Sequence, residues 1–221
     1  MKEYQKLDSV AYDYLKEMIL SRELKFDRIY SETRLANELS ISRTPIRDAL
    51  NRLSRERYID ILPSRGFQLH KPNSADIHEA YHVRLMIEGY CGRILAQEIN
   101  KKRAQDALAR MEQALERQRT LIDSSDKADL RQFWIEDQLF HHAPLDYMNI
   151  SAFNTQYDTF LHIFMPQHLK DDFVIGRKHS TIAEHAAIIA GLKNQNPEET
   201  EAAIRRHMDT SLRLSMINTD T

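Results

Sequence analysis

The chain is poor in the residues that break helices, and it has almost no thiol. Among 221 residues there are one cysteine, five glycines and six prolines. A single cysteine, Cys91, excludes an internal disulfide framework, and its place on a helical stripe fits a buried thiol better than a reactive one. Scarce glycine and proline, with many Ala, Leu, Glu, Lys and Arg, favour helices. No apolar run approaches the roughly 20 residues that a membrane-spanning helix needs. The start, Met1-Lys2-Glu3-Tyr4-Gln5-Lys6, lacks the apolar core of a secretory signal. A soluble cytoplasmic protein with no membrane partner is therefore expected. The 42% hydrophobic content is enough for packed cores in one or two domains.

A strong net charge is missing too, at −2. The distribution is more informative than the sum. Residues 1–71 hold 14 Lys/Arg against 11 Asp/Glu, and the remainder 17 against 22. Within residues 41–71 the count is 7 against 3, so positive charge gathers there. The segment centres on Ser42-Arg43-Thr44-Pro45-Ile46-Arg47-Asp48-Ala49-Leu50-Asn51-Arg52-Leu53. Ser42 is a good N-cap residue, and Pro45 falls in the first turn, where a missing N–H costs little. Ile46, Ala49, Leu50 and Leu53 form one apolar stripe. Arg43 and Arg47 lie four apart near the helix N-terminus, an end that prefers acids. Arginines gain nothing there as dipole partners, which points to an external anion such as DNA.

The flanks extend this reading. A short helix through Leu35-Ala36-Asn37-Glu38-Leu39 follows Ser31, and Ser40-Ile41 links it to the arginine-bearing helix, as in a helix-turn-helix. Tyr58-Ile59-Asp60-Ile61 and Phe67-Gln68-Leu69 flank Pro63-Ser64-Arg65-Gly66 and predict a β-hairpin. Such a hairpin would be a basic wing, with Arg65 and Gly66 at a tip able to approach DNA closely.

Residues 7–71 thus resemble the winged-helix domain of GntR-type bacterial transcription regulators. The resemblance rests on Ser31-Glu32-Thr33-Arg34-Leu35-Ala36, on Ser42 through Leu50, and on Arg65-Gly66. It implies a double-stranded palindromic DNA operator read by a homodimer, with Thr33, Arg34, Ser42, Arg43, Thr44, Arg47, Arg65 and Gly66 at the DNA. One departure is visible. Family members usually carry a Pro-Gly turn before the second helix, where this chain has Lys25-Phe26-Asp27-Arg28.

Lys71-Pro72-Asn73-Ser74 ends the wing, and Asn73 or Ser74 can cap the next helix. The expected domains are 1–72, a winged helix-turn-helix, and 73–221, an all-α antiparallel bundle. Its helices are expected near 75–99, 101–122, 128–142, 149–165 (interrupted by Pro166), 181–192 and 196–216. Val83, Ile87, Tyr90, Ile94 and Leu95 should face inward on the first. Thr181 and Glu184 fit a capping box, and Asn196-Pro197-Glu198-Glu199 fits a helix start.

Four polar groups fall on inward positions of this bundle. Asp137 and His141 sit four apart on one helix face, His185 lies on an apolar stripe with Ile182, Ile188 and Ile189, and His207 lies near Ala203, Ile204 and Leu214. Burying them unpaired is costly. An Asp/His pair at this spacing also occurs as a surface ion pair, and a lone histidine on a stripe also occurs as hydrogen-bonded core. A divalent metal would satisfy all four, and three imidazoles with one carboxylate suit zinc, nickel, iron or manganese rather than calcium. Arg84 and Glu88, four apart on the first long helix, read from spacing alone as a helix salt bridge.

Residues 75–221 resemble the FCD-type effector domain attached to many GntR winged helices. Its Asp-x-x-x-His motif is matched by Asp137-Gln138-Leu139-Phe140-His141, its next asparagine by Asn149, and its later histidines by Glu184-His185 and His207. The resemblance implies a divalent metal, zinc first, on Asp137, His141, His185 and His207. It also implies a small carboxylate effector in the cavity, near Arg84, Glu88 and Asn149. Arg84 would be unpaired and free to bind that carboxylate. His142, His162, His168 and His179 match no ligand position. The function so implied is a metabolite-responsive DNA-binding regulator, a repressor rather than an enzyme. Three alternatives are the same architecture with a metal-free pocket for a bulkier ligand, a metal-dependent hydrolase, and a constitutive DNA-binding scaffold in which the cluster is structural.

Overall fold

A computed structural model of the chain describes residues 2–20, 23–161, 163 and 171–217. His162, Pro166 and His168 lie outside these. The chain divides into two compact units, Met1–Lys71 and Pro72–Thr221.

The first unit holds helices α1 (Lys2–Leu20), α2 (Glu32–Glu38) and α3 (Arg43–Arg55), then strands β1 (Ile59–Leu62) and β2 (Gly66–Leu69). Helix α1 is not among the elements expected from sequence. The strands pair antiparallel with Ile59 opposite Leu69 and Leu62 opposite Gly66. A further bridge joins Tyr30 to Phe67. Leu15 of α1, Ile46, Leu50 and Leu53 of α3, Ile59 and Phe67 share one core and are almost fully buried. Each such side chain contributes roughly 1.5–3 kcal/mol by leaving water.

The chain turns with little glycine by placing other residues at positive φ. Ser40 and Arg57 follow α2 and α3 at φ 54° and 58°. After α2, Ser40 N–H reaches Asn37 O and Ile41 N–H reaches Ala36 O, both at 3.1 Å, the paired closure that usually uses glycine. After α3, Arg57 N–H and Tyr58 N–H close on Ser54 O and Leu53 O in the same way. Asp27, at φ 60°, supplies the left-handed residue of the turn before α2.

The second unit is all helical among the described residues: α4 (Ser74–Gln97), α5 (Lys102–Thr120), α6 (Lys127–Met148), α7 (Ser151–Leu161), α8 (Asp171–Lys193) and α9 (Pro197–Ile217). Asn73 caps α4 in a reciprocal capping box with Asp76. Asn196 caps α9 by accepting from Glu199 N–H at 3.0 Å. Helix α4 packs on α9, α5 on α6 and α8 on α9. A Cβ on Gly92 would lie 2.3 Å from Ile204 Cδ1, so a larger residue there would have to displace the end of that side chain on α9.

Three local expectations are corrected. Helix α6 continues through Pro144 to Met148 instead of ending near 142; Pro144 is itself buried, and packing holds the helix across the lost N–H. Helix α8 begins ten residues before Thr181, which is mid-helix and 1% exposed, so Thr181 and Glu184 form no capping box. Tyr90, expected inward, is 49% exposed.

Candidate functional site

The arginine-bearing face of the first unit follows from packing. The buried stripe of α3 fixes the helix's rotation, which leaves Ser42, Arg43, Thr44 and Arg47 exposed. The Glu32 carboxylate lies 3.4 Å from Arg43 Nη2 and 3.7 Å from Arg47 Nε. The two arginine side chains are 60% and 66% exposed. Exposed pairs of this kind contribute only about 0–1 kcal/mol, so Glu32 gathers the guanidinium groups without committing them. Sequence reasoning passed over Glu32. Its signal was an acid in the first turn of α2, where the dipole favours one. Ser31 caps α2 by accepting from Arg34 N–H at 3.3 Å. Thr33 and Arg34 are exposed, and Arg34 pairs with Glu38 at 2.8 Å.

One expectation here changes, and one residue gains a second reason. Ser42 holds the N-cap position, but its hydroxyl makes no capping bond. Gly66, at φ +116°, is required by the chain's own backbone, because a Cβ there would lie 2.0 Å from Tyr30 O. Tyr30 and Phe67 exchange two backbone bonds at 2.7 and 3.0 Å across this approach. Nearness to DNA is not needed to explain the glycine. Arg65 stands exposed at the wing tip, its N–H closing the turn on Leu62 O at 3.0 Å.

In the second unit His141 (α6), His185 (α8) and His207 (α9) come together, all buried, with one nitrogen of each within 4.8 Å of the others. The Nε2 atoms of His141 and His185 are 3.3 Å apart. Asp137 joins them, with Oδ1 3.6 Å from His185 Nε2 and Oδ2 3.9 Å from His141 Nε2. Each Nδ1 has its own acceptor: Glu88 Oε2 for His141 at 2.6 Å, Gln118 Oε1 for His185 at 2.9 Å, and Glu184 Oε2 for His207 at 2.8 Å. Carboxylate and amide oxygens only accept, so Nδ1 carries the proton in each ring. Nε2 is then the nitrogen that each ring would offer to an ion. Phe140 stacks on His185 at 3.9 Å between ring centroids and holds that ring flat. The cavity beside Glu88, Phe140 and His141 measures about 10 Å³, room for one water.

Electrostatics favour the neutral imidazole at His185 and His207. Burial, then His141 and Arg177, push the pKa of His207 well below 6.5; burial, His207 and His141 do the same for His185. Burial by itself would raise Glu88, but His141 and Arg84 outweigh it and hold the carboxylate below its usual range. Three imidazoles beside the Asp137 carboxylate form a donor set suited to a divalent cation.

The effector residues expected from sequence are placed differently. Arg84 is not unpaired. It is 4% exposed, its Nε donates to Glu88 Oε1 at 2.9 Å, and its Nη2 reaches Tyr157 OH at 3.2 Å. Glu88 is consumed between Arg84 and His141. Asn149 ends α6 in the left-handed conformation and is exposed. Asparagine is one of the few residues that tolerate that backbone. His142 pairs with Asp158 at 3.1 Å, and His179 is exposed. Gln118, Glu184 and Arg177 contact the cluster but were not anticipated as its partners, because nothing in local spacing tells which residue of another helix will face an imidazole.

Fold and site together define a transcription regulator: a winged helix-turn-helix joined to a helical domain with a buried polar centre. A family model described as "Bacterial regulatory proteins, gntR family" matches residues 7–69, and one described as "FCD domain" matches residues 79–210. The chain belongs to this family, as a GntR-type regulator with an FCD domain, and is not an enzyme. It is 31% identical to the gluconate operon transcriptional repressor of Bacillus licheniformis over 137 residues, 62% of this chain and 53% of that protein. It is 23% identical to the HTH-type transcriptional repressor RspR of Escherichia coli over 190 residues, 80% of this chain and 75% of that one. The solved structure of E. coli McbR/YncC matches with TM-score 0.70 at 20% identity, over 95% of this chain and 96% of that one. A putative GntR regulator from Rhodococcus sp. RHA1 matches with TM-score 0.71 at 18% identity, over 97% and 98%. At these identities the structural likeness speaks for the fold.

Proposed function

We propose that this regulator is a metabolite-responsive repressor. It grips a palindromic operator as a homodimer and changes that grip when its helical unit takes up a small organic acid beside a divalent metal. The observation that carries the sensor half is the convergence of three Nδ1-anchored histidines next to Asp137. Asp137, His141, His185 and His207 would hold the ion, zinc first, with nickel, iron and manganese also suited to the donors. When bound, it supplies positive charge and coordination positions for carboxylate oxygens. Because Arg84 is committed to Glu88 and Tyr157, the metal is the better first anchor for the acid. No helix among the described residues is long and apolar enough to cross a membrane; a cytoplasmic regulator fits this reading.

The DNA half rests on Arg43 and Arg47, held side by side by Glu32 on an exposed helix start. Paired half-sites suit a two-fold protein. The test is metal analysis of purified protein, followed by an organic-acid screen read by thermal shift and by operator release. Native-state ligands raise stability by mass action. Protein that takes up no metal yet releases DNA on adding an acid would overturn the metal half. Light scattering should give twice the 26.0 kDa chain mass; a persistent single-chain mass with DNA present would overturn the dimer.

A further inference from the structure

Two arginine–glutamate–histidine chains reach the cluster from different helices. On α4, Arg84 donates to Glu88 Oε1 at 2.9 Å, while Glu88 Oε2 accepts from His141 of α6 at 2.6 Å. On α8, Arg177 Nη1 lies 2.8 Å from Glu184 Oε2, and the same oxygen accepts from His207 of α9 at 2.8 Å. Arg177 Nη2 donates to Ser211 at 3.0 Å and lies 3.5 Å from His207 Nδ1, too far to compete with Glu184. Both arginines are buried, 4% and 7% exposed. Buried ion pairs are poor stabilisers by themselves, because desolvation offsets their attraction. Here each glutamate has a second partner, and in both cases that partner is an imidazole of the cluster.

We propose that Arg84–Glu88 and Arg177–Glu184 are matched positioning pairs for a metal ion. Each arginine fixes a glutamate, and each glutamate fixes one histidine with Nδ1 protonated and Nε2 free. This rests on the metal reading above and deepens it. Gln118 does the same for His185 without charge. Its Oε1 accepts from the ring, while its amide reaches Asp137 Oδ1 and Phe133 O, both at 3.4 Å. Two of the three histidines are thus backed by a carboxylate, which raises their basicity as ligands, and the third by an amide. Helix α4, which supplies no ligand, is tied to the ion through Glu88. Arg84 becomes a positioning residue instead of the acid's anchor.

The experiment uses the full chain. Nitrogen-15 NMR of the metal-free wild type should show Nδ1–H on His141, His185 and His207. Zinc affinity, by competition with a chelating indicator, should fall about 10–100-fold in Glu88→Ala and Glu184→Ala. Glu88→Gln and Glu184→Gln, which keep an acceptor oxygen, should recover part of the loss. Arg177→Met should also weaken zinc, because Arg177 holds Glu184 although it would not itself bind the ion. Absence of Nδ1–H on His141 or His207 would overturn the pairs without any variant. So would unchanged zinc affinity in alanine variants that melt like the wild type. A wild-type chain that takes up no zinc would overturn the metal reading and the pairs together.

Discussion

The two units use arginine in opposite ways. In the winged helix, Arg43 and Arg47 are mostly exposed and share one glutamate at 3.4 and 3.7 Å. In the helical unit, Arg84 and Arg177 are buried and bound to glutamates at 2.8–2.9 Å. The first arrangement keeps cations concentrated but available, since exposed pairs are screened and weak. The second spends the cation on holding another side chain, since burial makes an unpaired charge prohibitive. Exposure separates a surface that greets a partner from a centre that is set in advance.

The comparison can be broken most sharply at the ligands. His185→Ala or His207→Ala should lose metal uptake and the acid response together, measured by metal analysis and operator release, while metal-free DNA binding survives. Loss of DNA binding in a folded variant would show that the units are not separable in this way.

At the other unit, Arg43→Ala or Arg47→Ala should each weaken specific operator binding by roughly 1–3 kcal/mol, the cost of one base contact. Arg55→Ala should matter less. Equal small losses at all three positions, in a titration at fixed salt, would remove α3 from the DNA.

A pH scan of the metal-free chain sharpens the buried side. His185 and His207 stay neutral when folded but take up protons below about 6.5 when unfolded. The unfolded state then binds more protons, so stability is lost as pH falls below 6.5. The melting temperature should drop by several degrees between neutral pH and pH 5, and a flat profile would contradict the burial. At the alkaline end, burial and then the Glu88 charge push Cys91 up to about 12, so a thiol reagent at pH 8 should label only unfolded chain.

The smallest expected effect concerns backbone strain. Ser40→Gly relieves a left-handed residue that costs roughly 1–2 kcal/mol, offset in part by glycine's added freedom when unfolded. A net gain of up to about 1 kcal/mol should appear as a raised denaturation midpoint, without change in the helical unit.

Much of the winged helix was legible because its determinants are local. The stripe Ile46, Ala49, Leu50, Leu53 sets which face of α3 is buried, so the exposure of Arg43 and Arg47 follows from helical spacing alone. The hairpin was legible from alternation around Pro63-Ser64-Arg65-Gly66. The backbone constraint on Gly66 was not legible, because it comes from Tyr30, 36 positions earlier in sequence. In the bundle, Asp137 and His141 were readable as a pair at i,i+4, and His185 and His207 as polar residues on apolar stripes. Helix ends were less readable: Pro144 and Thr181 carry local stop and start signals that packing overrides.

The sequence by itself determined the helix faces, the basic segment and the residues on the inward stripes, because those depend on a period of 3.6 and on short-range capping. Only the tertiary structure decided what each inward group meets. Glu88 could serve an effector, pair with Arg84 or hold a histidine, and spacing within α4 cannot choose among these. The choice is made where α4, α6, α8 and α9 close around one point, since a buried polar atom must be satisfied by whatever the neighbouring helix presents.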